Sequence, residues 1–150
     1  MQHSNLGYGI VQLCRAHRAL AGGLLSTLGL HPGQEIILMQ LWQQDGLNQT
    51  QLTQLLNVQA PTVSKMLQRL EQTGILERRP SSLDHRIMQV WLTQSGKDLE
   101  SKVAAIWTEL ETRTTEHLSH EERTVFEATL SKIVVGLRQP NFGCSETIQE

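Results

Sequence analysis

The feature that most constrains this chain is a single change of hydrophobic period. Up to Gly74 the apolar residues recur at spacings of three and four. Between Ile75 and Leu92 they shift towards every second position, and from Thr93 onward the helical spacing returns. A side chain on a helix meets its neighbours three and four residues away, whereas a strand turns alternate residues to one face. The chain is therefore predicted to be mainly α, with one short hairpin set among helices.

Leu6, Ile10, Leu13 and Cys14, then His17, Leu20, Ala21 and Leu24, mark a first helix ending near Gly29. Gly22 and Gly23 inside it predict a bend or a close helix contact. Leu30-His31-Pro32 restarts the chain, with Pro in the first helical turn, and Ile36, Ile37, Met39, Leu41 and Trp42 follow as a mostly buried second helix. Asn48 with Gln51 is a capping-box variant opening a short helix with Leu52, Leu55 and Leu56 on its apolar face. Pro61 opens the next, with Val63, Met66, Leu67 and Leu70 buried, and Gly74 closes it as a left-handed cap. Ile75–Arg79 and Met88–Leu92 read as strands joined by the turn-rich Pro80–Arg86. Thr93 is expected to cap one long helix carrying Leu99, Val103, Ile106, Trp107 and Leu110. Ser119 and Glu122 form the capping box of a last helix with Val125, Phe126, Leu130, Ile133, Val134 and Leu137. Residues 139–150 show no periodicity and are expected to be loose.

Composition narrows the function classes. A chain of 150 residues is one domain's worth, no apolar run approaches the roughly 20 residues needed to span a bilayer, and no signal-peptide pattern opens it. A cytoplasmic protein with no membrane association is the expectation. The two cysteines, Cys14 and Cys144, lack metal-ligand or disulfide-framework spacing. No phosphate-binding glycine loop, nucleophile elbow or paired-carboxylate setting is present, so neither enzymatic activity nor a cofactor is expected. The net charge of −2 argues weakly against a nucleic-acid partner, but its distribution does not: residues 48–93 carry +2 and residues 94–150 carry −4.

A helix-turn-helix followed by a basic hairpin is a device for reading a duplex, one helix entering the major groove and the hairpin reaching the backbone or minor groove. Val63, Met66, Leu67 and Leu70 use up one side of the second helix. Pro61, Thr62, Ser64, Lys65, Gln68 and Arg69 remain on the open face, and these are small, hydrogen-bonding or cationic groups. Arg78 and Arg79 at the strand end suit phosphate contacts. The alternative is a winged-helix interaction or dimerisation module that does not bind DNA.

The run Leu83-Asp84-His85-Arg86-Ile87-Met88-Gln89-Val90-Trp91-Leu92-Thr93-Gln94-Ser95-Gly96 resembles the wing signature of the MarR family of transcriptional regulators. Gln51–Val58, Pro61–Lys65 and Leu67–Arg78 resemble the same family's helix-turn-helix. The resemblance implies a winged helix-turn-helix at residues 31–93 with a two- or three-stranded wing, and long dimerisation helices at 1–30 and 94–138, all in a single unit. It also implies a homodimer on double-stranded, pseudo-palindromic DNA, acting as a ligand-responsive repressor. In the wing it implies that Asp84 holds Arg86 in place and that Arg86 reaches the minor groove. Two positions depart from the pattern: Gln59 stands where a better cap residue is usual, and His85 replaces an arginine.

For an effector, the resemblance places a pocket between dimer helices and winged region, where Arg15, Arg18, His31, Met39, Trp42 and Trp107 are the candidates. An anionic aromatic ligand would use Arg15 or Arg18. Cys14 is expected to be a buried structural cysteine, and His117 and His120 to be surface or capping histidines rather than metal ligands.

Overall fold

The computed structural model describes residues 5–138. They divide into two compact units, one running through Thr112 and the other from Arg113. The element order is α1 (Leu6–Ser26), α2 (Gln34–Gln43), β1 (Leu47–Asn48), α3 (Gln49–Leu56), α4 (Ala60–Gln72), β2 (Leu76–Pro80), β3 (Met88–Leu92), α5 (Gln94–Lys97), α6 (Glu100–Thr115) and α7 (His120–Arg138). The predicted loose tail lies outside the described residues.

The expected period switch is the wing. β2 and β3 pair antiparallel with Leu76 opposite Leu92 and Arg79 opposite Gln89. Leu76, Val90 and Leu92 are buried, and Trp91 on the opposite face is half-buried. A third strand, β1, joins the other edge of β3 in the order β1-β3-β2, Leu47 opposite Val90. The resemblance allowed a third strand, but by hydrophobic spacing alone Asp45-Gly46 reads only as a helix end. Two residues are too few for alternation to register.

Caps follow the sequence closely. Asn48 Oδ1 accepts from Gln51 N at 2.9 Å while Gln51 Oε1 accepts from Asn48 N at 2.9 Å, a complete capping box. Ser119 and Glu122 make the same reciprocal pair at the start of α7. Gly74 has φ +70°, as a left-handed cap requires. Gln59 accepts no side-chain bond at the start of α4. Gly22 is a close contact: a Cβ there would stand 3.3 Å from Pro32 Cγ.

Three expectations are corrected. Pro32 lies in a turn before α2, which Gly33 caps at φ 102°, so the helix starts two residues later than read. Ile36 and Leu55, expected in the core, are exposed at 41% and 58%. The helix predicted from Thr93 is two pieces. Gly96 packs so tightly beneath the β2 entry that a Cβ would meet Ile75 O at 2.2 Å, and its carbonyl accepts from Trp42 Nε1 at 3.0 Å. The helical run stops at Lys97 and restarts as α6 at Glu100.

The core of the first unit gathers Leu25, Leu30, Ile37, Leu38, Leu41, Leu52, Val63, Leu67, Leu70, Val90 and Val103. The first half of α1 contributes none of it.

Candidate nucleic-acid interface

α3, the turn at Asn57 and α4 form the helix-turn-helix. Asn57 adopts φ 50°, ψ 44°, a left-handed conformation that Asn tolerates better than most side chains and that reverses the chain within three residues. α4 is anchored by Val63, Leu67 and Leu70, each at 0% exposure. Its other side presents Pro61, Thr62, Lys65, Gln68 and Arg69, all exposed, whereas Ser64 is half-buried. Among the described residues neither Lys65 nor Arg69 is ion-paired, so two cations stand free on the exposed face.

The wing arginines differ among themselves. Arg78 lies on the inner face of the sheet, its Nε 3.3 Å from Glu71 Oε2 at the end of α4 without hydrogen-bond alignment. Arg79 pairs with Glu77 and lies 5.6 Å from the centre of the Trp91 ring. Both predicted phosphate contacts thus have partners within the chain. Arg86 is exposed and, among the described residues, has no ion-pair partner. Asp84 acts on its backbone: Asp84 Oδ1 accepts from Arg86 N at 3.0 Å, and Asp84 O from Ile87 N at 2.9 Å. The carboxylate fixes the turn that carries Arg86 and leaves the guanidinium free.

The six predicted effector residues do not converge on one pocket. Arg18 and Trp107 line a cleft of about 390 Å³ together with Glu35, Thr62 and Met66. Met39, Trp42 and Trp107 line a second of about 380 Å³. Arg18 and His31 meet Thr62, Lys65 and Arg69 around a third of about 350 Å³. Arg15 is exposed on α1 and lines none of these three. Trp42 is also committed structurally, through its bond to Gly96 O.

Sequence reasoning passed over Glu35, a carboxyl only 5% exposed in the first cleft. Burial pushes its pKa above the ordinary value of 4.5; its own amide, the Gly33 N–H at 2.7 Å and the Arg18 charge oppose that rise. A single acid inside an apolar helix start was the available signal. Cys14, expected to be buried, is exposed on α1, as are its neighbours in the first half of that helix. His117 is exposed beside Glu116, and His120 opens α7. Among the described residues no helix is long and apolar enough to cross a membrane.

Residues 30–88 match the sequence model of the MarR family. The chain is 31% identical over 83 residues to the organic hydroperoxide resistance transcriptional regulator of Bacillus subtilis, a match covering 55% of this chain and 56% of that protein's length. Its fold superposes on a MarR transcriptional regulator from Methanosarcina mazei Go1 with TM-score 0.75 at 26% identity, covering 90% of this chain and 98% of the other. It also superposes on a cysteine-to-serine MarR mutant from E. coli complexed with operator DNA, with TM-score 0.78 at 25% identity, covering 87% and 94%. Sequence, wing geometry and helix order agree: residues 30–88 are similar to the MarR family, and the chain has the fold of MarR regulators.

Proposed function

We propose that this protein is a sequence-specific DNA-binding transcriptional regulator that works as a homodimer on a pseudo-palindromic operator. The observation that carries this reading is the division of α4 into a fully buried apolar side and an exposed side with unpaired Lys65 and Arg69. In the major groove Thr62, Ser64 and Gln68 meet base edges, Lys65 and Arg69 meet phosphate or guanine, and Pro61 lets the helix sit deep. Arg86, held out by the Asp84 turn, enters the minor groove, where narrow A·T-rich stretches concentrate negative potential. Arg78 and Arg79 stay with their acidic partners and contribute less.

The dimer is supported by apolar residues left exposed on α1 and α7, among them Leu6, Val11, Val125, Val135 and Leu137. Repression follows from occupancy of a promoter site. Release by a ligand is supported by the cleft joining Arg18 of α1 to Thr62 and Met66 of the reading helix, where an anionic aromatic molecule would pair with Arg18 and displace α4.

Selection of bound duplexes from a random pool tests this reading. A palindrome with half-sites about 10 to 10.5 bp apart, or a multiple of that spacing, is expected from two-fold geometry. Recovery of no consensus would sink it in favour of an interaction module without DNA binding.

A further inference from the structure

The wing tip carries more than its arginine. Leu83 is 96% exposed, and Ile87 and Met88, flanking Arg86 on the far side of the turn, are 42% and 44% exposed. Three large apolar side chains thus stand within a few residues of one unpaired guanidinium. The tip is not a loose loop. Leu83 N donates to Ser81 Oγ at 3.3 Å, Ser81 N to Ile87 O at 2.8 Å, Arg86 N to Asp84 Oδ1 at 3.0 Å and Ile87 N to Asp84 O at 2.9 Å. The amides of Leu83, Arg86 and Ile87 are satisfied before any partner arrives, so these side chains are presented on a fixed frame.

Leaving a leucine fully in water forgoes the stabilisation its burial would bring, and an exposed apolar hairpin tip invites strand pairing with other chains. A partner that covers it must accept a cation and a hydrocarbon group side by side. The minor groove does so: its phosphates and base acceptors attract the guanidinium, its walls are deoxyribose C–H, and flexible pyrimidine–purine steps open to an apolar wedge.

We propose that Leu83 is a minor-groove wedge, seated beside Arg86, that reads the deformability of a base step rather than its hydrogen-bonding edge. This rests on the DNA-binding reading above. Leu83 then sets sequence preference through TA and CA/TG steps under the wing, and bends the duplex where it enters.

The test uses the 150-residue chain, as the dimer proposed above, and the duplex selected from the random pool, end-labelled for energy transfer, with titrations at several salt concentrations. Leu83→Ala is expected to weaken binding about tenfold, to straighten the duplex and to lose the preference for a pyrimidine–purine step under the wing, with the salt slope unchanged because no counterion is released. Arg86→Ala is expected instead to lower the slope by about one. Leu83→Met should retain the bend. Leu83→Ala binding, bending and step preference equal to wild type, while Arg86→Ala weakens binding, overturns the wedge and leaves the DNA-binding reading intact. Wild type that binds no duplex removes that reading and the wedge with it. If Leu83→Ala leaves duplex binding intact but abolishes retention on anionic phospholipid vesicles, the tip serves a membrane surface and the wedge is likewise overturned. At 96% exposure the substitution leaves the core untouched, so a change in binding reports on the tip itself.

Discussion

Helices α4 and α7 carry the same kind of sequence pattern and end in opposite states. Val63, Leu67 and Leu70 on α4 are completely buried, whereas Val125, Leu130, Val134 and Leu137 on α7 are all exposed to a third or more of their surface. α1 repeats the contrast within one helix, with Ala21 and Leu25 buried and Leu6, Ile10 and Leu13 exposed. An apolar stripe at helical spacing therefore says that a helix has a partner, but not which chain supplies it. Around α4 the partner is this chain's own core. For α7 and the start of α1 it is, in the dimer proposed above, a second copy.

The largest effects should come from breaking the buried side. Leu67→Ala is expected to cost about 2–5 kcal/mol of folding stability, the range for truncating a fully buried leucine. Gly96→Ala should be at least as damaging, because its Cβ would meet backbone at Ile75 O rather than a yielding side chain. Urea unfolding of each variant measures this, and a loss below about 1 kcal/mol for Leu67→Ala would show that the core is not closed within one chain.

Next in size is the exposed side. Leu130, Val134 and Leu137 are spaced to share one face of α7, so a Leu130→Glu, Leu137→Glu double variant should raise the dimer dissociation constant at least a hundredfold in sedimentation experiments. Circular dichroism should show the winged region still folded. If the variant stays dimeric, the unpartnered face of α7 is not the interface.

Smaller and more specific changes belong to the surface of α4. Gln68→Ala should shift the selected base preference with little change in salt slope. Arg69→Ala should reduce affinity across sequences and lower the slope by about one. Indistinguishable profiles would refute the division between base-reading and phosphate-holding residues.

The smallest effect concerns Glu35. Its carboxyl is harder to ionise folded than unfolded, so this group favours folding below about pH 4.5 and that contribution is lost as pH rises through its elevated folded value. Stability of wild type relative to Glu35→Gln should therefore fall on going from pH 4 to pH 7. A flat difference would mean that the backbone amides and Arg18 balance burial, and one that rises with pH that they outweigh it.

Much of this was legible in the residues. The period switch marked the wing, the Asn48 and Ser119 boxes marked helix starts, and the alternation of apolar and polar groups on α4 separated its two sides. What was not legible depended on contacts distant in sequence. Ile36 and Leu55 look like core residues by spacing, yet among the described residues they are covered only in part. The break after α5 falls where Gly96 packs against Ile75 O and its carbonyl accepts from Trp42, 54 positions away. The effector set failed to converge because Trp107 lines two clefts and Arg18 another pair, a division that no one-dimensional pattern encodes. At the wing, the motif marked the turn that Asp84 and Arg86 share, whereas the near-complete exposure of Leu83 had no sequence signal.

Salt dependence of operator binding by the dimer tests the central claim most directly. If paired α4 helices and wings engage six to ten phosphates, log affinity should fall against log salt with a slope of about −5 to −9. A flat dependence, or no binding to any selected duplex at low salt, would contradict a DNA-reading surface built on Lys65, Arg69 and Arg86.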